Sequence, residues 1–272
     1  CKTPLYAWIE TNSDLSNVLI WIKLPVQIPA NGSITIYMFV RNSIQYPYTG
    51  LAPNLTSAYG QYDNGENVFL WYNNGTSIAN FNLVNGGSIQ LTQQTNPYGQ
   101  TTDVIEISGP GSTSTSAETV AWYNQPVVGD NFIMEGWINI DGNENAMYAV
   151  RGNSDSTLTN YLLGSGWGGY KASIAYESGT TSDILSGSGS RSTGWYWAYA
   201  QITGSDLYVA IYTAPPELGG TLEASASASD STLSPSNEYI GLAVYAGSSS
   251  PAYFSMTRVR YYPPNGVMPS NS

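Results

Sequence analysis

The sequence predicts an all-β chain whose main domain is an antiparallel jelly-roll sandwich. Three observations carry the prediction. Apolar and polar residues alternate with a period of two in segment after segment, the pattern of half-buried strands. No helix-length stretch shows the i, i+3, i+4, i+7 apolar spacing of an amphipathic helix, and the Gly and β-branched content opposes one. About a dozen short strands separated by Gly, Ser and Asn turns fill roughly the last 200 residues, a spacing that suits two packed sheets.

Taken in order, Leu5-Tyr6-Ala7-Trp8-Ile9 reads as a first strand. Val18, Ile20 and Ile22 alternate with Leu19, Trp21 and Lys23, and Ile34, Ile36 and Met38 with Thr35, Tyr37 and Phe39; the two segments read as paired strands. Pro25, Pro29 and the step Asn31-Gly32 supply the turn between them. Tyr46 to Gly65 holds turn-formers with little periodicity and reads as a connection, with a domain boundary near residue 65. Strands are then expected over Val68–Tyr72, Ser88–Thr92, Asp103–Ser108, Thr119–Tyr123, Phe132–Ile140, Met147–Val150, Tyr161–Leu163, Lys171–Tyr176, Trp195–Thr203, Leu207–Tyr212, Tyr239–Tyr245 and Ala252–Tyr262. The Gly/Ser tract Ser186–Ser192 and the Ala/Ser run Ala224–Ser229 read as loops.

Composition narrows function. Only 10% of the 272 residues are charged, so Ser, Thr, Asn, Gly and Tyr carry solubility, and groups that do not titrate suit an exported protein and even an acidic habitat. The net charge of −11 comes from 19 scattered acidic residues against 8 basic ones, with no Lys/Arg cluster to neutralise phosphates, which excludes nucleic-acid binding. Cys1, the single cysteine, rules out an intrachain disulfide. The longest apolar runs, Val18–Pro25 and Ile34–Val40, are strand-length and too short to span a membrane as helices. The opening Cys1-Lys2-Thr3-Pro4 leads directly into a strand and reads as a mature or excised start rather than a signal peptide.

Two segments, Val18 to Asn42 with its Trp-Ile-Lys-Leu-Pro and Ile-Pro-Ala-Asn core and Arg258 to Pro269, resemble a family of archaeal surface proteins. In that family a short β module precedes a concanavalin-A-like lectin/glucanase sandwich. Phe132-Ile133-Met134-Glu135-Gly136-Trp137, Gly194-Trp195-Tyr196-Trp197 and Ile240-Gly241-Leu242 are similar to its recurring strands. The resemblance implies a small β module with its connection over 1–65, a concanavalin-A-like sandwich over 66–272, and an extracellular location on a cell or virion surface. Function follows from it only by analogy.

The chain has no histidine, which removes the Ser-His-Asp triad, the Cys-His pair and the usual zinc ligands. Glucanases of similar fold carry catalytic carboxylates two apart on one strand, on one face; here no two acidic residues are so spaced. The pairs Asp63/Glu66, Asp103/Glu106 and Asp141/Glu144 are three apart and would face opposite ways. Glu135 is either one member of an acid pair assembled between strands or a solvated strand residue, and the chain reads as a non-enzyme.

Eight Trp and 22 Tyr supply rings that stack on sugar faces and polar tips that bond hydroxyls. In Gly164-Ser165-Gly166-Trp167-Gly168-Gly169-Tyr170 the glycines strip neighbours from Trp167, making Trp167 and Tyr170 the candidate carbohydrate-binding residues; a Trp packed in a tight core bend is the commoner alternative. Trp195, Trp197 and Tyr199 share a face that lines either a groove or the inter-sheet core. Asp130, Asn131, Asp141, Asn143 and Glu144 offer oxygen ligands for calcium, although Asp and Asn serve more often as ordinary turn residues, and no cofactor is otherwise expected. Sequons stand at Asn31, Asn54 and Asn74, in turns, but Ser and Thr are frequent enough for the motif to recur by chance.

The sequence thus points to an extracellular adhesin or receptor-binding module for surface glycans, on an archaeal cell or a virus infecting one. Its rival is a filament subunit assembled from copies of itself, the first strand completing a neighbour's sheet.

Overall fold

The protein is described from a computed structural model, covering residues 5–11, 18–29, 31–38, 64–97, 99–111, 118–127, 129–142, 144–179, 181–263 and 266. The chain divides into two compact units, Cys1–Phe69 and Leu70–Ser272.

In the first unit β1 (Ala7–Thr11) pairs antiparallel with β2 (Val18–Ile22), Trp8 opposite Trp21. The rings of Trp8 and Trp21 meet Phe69 edge-on at 5.4 and 5.6 Å, and Trp21 Nε1 donates to Glu10 Oε2 at 3.0 Å. The expected strand at Ile34–Met38 does not form: residues 32–38 have no regular structure, and β2 takes β1 as its partner instead. Ile36, Tyr37 and Met38 are all exposed, so the alternation there buries no face. The expected strand at Val68 is also corrected. Gly65–Val68 form one helical turn, α1, closed by Phe69 N–H donating to the Gly65 carbonyl at 2.9 Å.

The second unit is a sandwich of antiparallel sheets. Along the chain run β3 (Trp71–Asn73), β4 (Phe81–Val84), β5 (Ser88–Thr95), β6 (Thr101–Ser108), β7 (Glu118–Tyr123), β8 (Asn131–Ile140), β9 (Ala146–Gly152), β10 (Thr159–Ser165), β11 (Tyr170–Ser178), β12 (Thr181–Ser190), β13 (Gly194–Thr203), β14 (Asp206–Tyr212), β15 (Leu222–Ser229), β16 (Tyr239–Tyr245) and β17 (Pro251–Tyr261). One sheet has the order β12-β11-β10-β9-β16-β7-β4; the other has β15-β14-β13-β8-β17-β6-β5, with β3 also paired to β17. Ile105, Ile107, Met134, Ile138, Tyr148, Leu163, Ile174, Ile202, Val209, Leu242 and Phe254 fill the space between them. Each alternates with residues of the opposite face, as a sandwich requires.

The Gly/Ser and Ala/Ser tracts are largely strands, not loops: Ser186–Ser190 forms half of β12 and Ala224–Ser229 most of β15. Both are edge strands, where ladder hydrogen bonds to β11 and β14 outweigh weak intrinsic propensity. Their small side chains let the two sheets approach, with Ser188 Oγ 2.5 Å from the Ser225 carbonyl.

A bulge decides what β17 shows to β8. Ser255 lies opposite Trp137 and Arg258 opposite Glu135, so β17 spends one extra residue there, and Met256 takes φ +54°. The extra residue inverts the alternation and turns Arg258 and Arg260 away from the inter-sheet core. Gly136 makes room for it, since a Cβ there would lie 2.7 Å from Thr257 Cα.

Candidate functional site

Between β10 and β11 the chain makes a tight turn over Trp167–Gly169. Gly166, Gly168 and Gly169 take φ of +111°, +62° and +79°, a backbone that side chains other than glycine's rarely accept. Gly169 N–H donates to the Gly166 carbonyl and Gly166 N–H to the Tyr170 carbonyl, both at 2.9 Å. Gly166 also lies against the loop before β9, where a Cβ would stand 2.6 Å from Asn145 Cα and 2.7 Å from the Glu144 carbonyl. The glycines therefore bring this turn onto Glu144 and Asn145.

Trp167 is half-buried, its ring edge-on to Tyr245 of β16 at 6.1 Å. It packs on a second apolar cluster, Val120, Trp122, Met147, Ala149, Leu162, Ala175 and Ala243, on the sheet face turned away from the sandwich core. Tyr170 is 38% exposed, and its ring lies over Gly187 of β12, where a Cβ would be 2.5 Å from Cδ2. The two rings share the turn but rest on different strands.

On the same face the structure assembles polar groups that sequence spacing could not connect. Glu118 N–H donates to Glu177 Oε1 at 2.7 Å, Asn160 Nδ2 to Glu177 Oε2 at 2.7 Å, and Asn145 Nδ2 to Glu118 Oε1 at 3.0 Å. β7 and β11 are four steps apart in the sheet, about 19 Å if it were flat. The contact requires the sheet to curl around this face, which is why Glu118, Asn160 and Glu177 are fully buried.

Burial, reinforced by the nearby Glu177 charge, raises the Glu118 carboxyl well above the usual range, against the Asn145 hydrogen bond that lowers it. Burial pushes Glu177 to about 7, opposed by bonds from the Glu118 N–H, Asn160 and Ser182. Glu144 also stands at about 7 through burial, opposed by Ser248 and the Arg191 charge. Arg191 N–H donates to the Gly169 carbonyl at 2.9 Å, tying that segment to the Trp167 turn. Trp167 Nε1, Asn160 Oδ1, Ser173 Oγ and Glu118 Oε2 are buried polar atoms with no hydrogen-bond partner within the protein. Donors and acceptors in this state take partners from water or from a ligand's hydroxyls.

Glu135 is not solvated; its direct partners are two arginines, and one of them, Arg260, also reaches Glu217 Oε1 through Nη2 at 3.6 Å. Glu135 is fully buried on β8 and accepts from Arg258 Nε at 2.8 Å and Arg260 Nε at 2.9 Å. Burial would raise its carboxyl, but the Arg260 and Arg258 charges and hydrogen bonds outweigh this and bring it down to about 2. Arg258 lies over the Trp197 ring at 4.9 Å, and Trp197 meets Trp137 edge-on at 5.6 Å.

Trp197 and Tyr199 thus face away from the inter-sheet core, to which β13 contributes Ala198, Ala200 and Ile202. Trp197 is fully buried, while Trp195 Nε1 donates to the Thr95 carbonyl at 2.9 Å. The oxygen groups considered for calcium do not converge. Asp130 and Asn131 lie at one end of β8 and Asp141 and Glu144 beyond the other, about 30 Å apart along a ten-residue strand. Among the described residues no group of three or more His, Cys, Asp or Glu side chains is arranged to hold a metal; Asn143 lies outside them.

Asn31, at φ +60°, and Asn74 both lie in turns, and Asn74 Oδ1 accepts from Thr76 N–H at 3.0 Å and Thr76 Oγ1 at 2.6 Å. Asn54 and Cys1 lie outside the described residues. No helix among the described residues is long and apolar enough to cross a membrane.

No protein-family model matches the chain. Among solved structures, it is similar to the carbohydrate-binding module CBM66 from Bacillus subtilis (13% identity, TM-score 0.42, 65% of this chain and 98% of that one). It is also similar to a Bacillus subtilis protein of unknown function with a galectin-like fold (13%, 0.45, 71% and 96%) and to the exoplasmic/lumenal domain of VIP36 (12%, 0.45, 72% and 87%). In sequence it is 40% identical over 284 residues to "Uncharacterized protein 562" of Sulfolobus islandicus rod-shaped virus 1, an archaeal virus. The match takes in 100% of this chain and 50% of that protein, so the chain spans about half the length of the curated relative it matches.

Proposed function

We propose that the chain is a glycan-recognition module of an extracellular adhesin or receptor-binding protein, displayed on the surface of an archaeal virus particle. Its ligand rests on the exposed part of the Trp167 ring, in the turn that Gly166 seats against Glu144 and Asn145. The observation that carries this reading is the Trp167 turn itself. Three left-handed glycines hold a half-buried aromatic ring at the edge of the sheet face, in a turn whose Gly166 lies against the backbone of Glu144 and Asn145. Rings stack on sugar faces, and sugar hydroxyls both donate and accept, which matches this mixture of groups. The viral relative supports the viral setting of this reading.

The filament alternative, in which the first strand enters a neighbouring sheet, is less well supported, because β1 already pairs with β2 of its own chain. The test is an array of cell-surface glycans and polysaccharides probed with the purified chain and with Trp167→Ala. Stacking on one ring is worth about 1 kcal/mol or more, so the substitution weakens binding by at least about fivefold when both proteins are compared well below their unfolding transitions, since losing a ring packed on the apolar cluster also lowers the melting temperature. Absence of binding across the array, or binding unchanged by Trp167→Ala, refutes the reading.

A further inference from the structure

The four outer edges of the two sandwich sheets are not equivalent. β4 has only four residues, and its Asn82 side chain is engaged by Asp155. β12 carries Asp183, a register shift beside Ile174 and Ala175, and Gly189 at φ +66°. β15 carries a register shift next to Tyr212 and Glu223, which is ion-paired to Lys171 across the sandwich. Shortness, charge and bulges are the devices by which edge strands avoid pairing with other chains.

β5 has none of them. Ser88-Ile89-Gln90-Leu91-Thr92-Gln93-Gln94-Thr95 has no charge, proline or glycine, and its eight residues pair with β6 in unbroken register. Among the described residues no strand lies on its outer side. Leu91 stands opposite Ile105 and Ile89 opposite Ile107, so both point to the inter-sheet core, yet Leu91 is 41% exposed at the rim.

We infer that β5 is a homodimer interface: two copies of the chain join antiparallel along β5, about a two-fold axis through Leu91, into one sheet that runs through both sandwiches. The hydrogen-bond phase fixes this register. Asn96 N–H donates to the Gln100 carbonyl across the β5–β6 hairpin, so even-numbered amides point to β6 and those of Ile89, Leu91, Gln93 and Thr95 point outward. The Thr95 carbonyl is already occupied by Trp195 Nε1, which leaves Ile89, Leu91 and Gln93 to pair. Centring on Leu91 sets Leu91 against Leu91 and Ile89 against Gln93 of the second copy. All three outward positions are then satisfied, and the exposed leucines bury each other. A second copy is the fitting occupant because the strand is complementary to itself and presents no charge to repel its twin.

The interface is independent of the glycan reading and is tested by sedimentation of the full chain over a wide concentration range at low and high salt. A reversible dimer is expected, tighter in salt because each copy has a net charge of −11. Leu91→Lys places two cations across the axis and raises the dissociation constant by at least about tenfold. In a Cys1→Ser background, Leu91→Cys forms a symmetric disulfide dimer on mild oxidation, since paired Cα atoms about 5.5 Å apart suit the bond. A chain monomeric under every condition, a dimer indifferent to Leu91→Lys, or no cross-link through Leu91→Cys overturns the inference.

Discussion

Replacing Glu135 by glutamine removes a carboxylate that two guanidiniums share. The cost follows from the site. Its carboxyl falls from the ordinary 4.5 to about 2, and at about 1.4 kcal/mol for each pH unit between those values ionisation stabilises the fold by about 3 kcal/mol. Breaking a buried ion pair by removing one partner costs about 3 to 5 kcal/mol, so the two routes agree. The folded value lies below the unfolded one, so the contribution is complete above about pH 4.5 and is lost as pH falls through about 2. Urea unfolding of the parent and of Glu135→Gln at neutral pH, near pH 4 and near pH 2 checks this. Near neutrality the variant is less stable by about 3 kcal/mol, and its stability declines less steeply into acid. A loss under about 1 kcal/mol at neutral pH, or identical acid limbs, refutes the assignment.

The curled face titrates in the opposite sense. Glu177 and Glu144 stand at about 7 and Glu118 is raised, so their contribution is full below about pH 4.5 and is lost as pH rises through about 7. With Glu135, this sets a stability maximum in mildly acid solution, and Glu177→Gln flattens the decline towards neutral pH in thermal melts. Trp197→Ala empties a fully buried site beneath Arg258 and costs about 3 to 5 kcal/mol in urea unfolding. Gly136→Ala drives a methyl group into Thr257 Cα and costs about 1 to 3 kcal/mol; an unchanged melting temperature would show that the bulge yields.

The strands are most legible where a strand-length, largely apolar run is bounded by turn residues. Tyr239–Tyr245 matches its observed bounds and Phe132–Ile140 comes within one residue, because both are buried on both faces and read as short apolar runs. The edge strands β12 and β15 were not legible: Gly, Ser and Ala carry no periodic signal, and only their neighbours' ladders make them strands. Ile34–Met38 failed in the other direction, an alternating segment to which the fold gives no sheet.

At the candidate site, the glycines around Trp167 were the readable signal, because left-handed turns need them whatever surrounds them. Tyr170 was paired with Trp167 by sequence proximity, whereas its ring rests on Gly187. The grouping of Glu118, Asn145, Asn160 and Glu177 left no trace in spacing, since these residues come from strands or loops 15 to 59 positions apart, joined by the curl of a sheet.

Composition and alternation are properties of the chain, and they are enough to specify an all-β sandwich, weakly charged, rich in aromatic rings and without histidine chemistry. Which carboxylates are ionised depends on the folded arrangement. One extra residue in β17 turns Arg258 and Arg260 onto Glu135, while curvature folds Glu118 and Glu177 away from water. A carboxyl's proton affinity depends on the charges and solvent around it, and those are set by strand register and sheet curvature rather than by its neighbours in sequence.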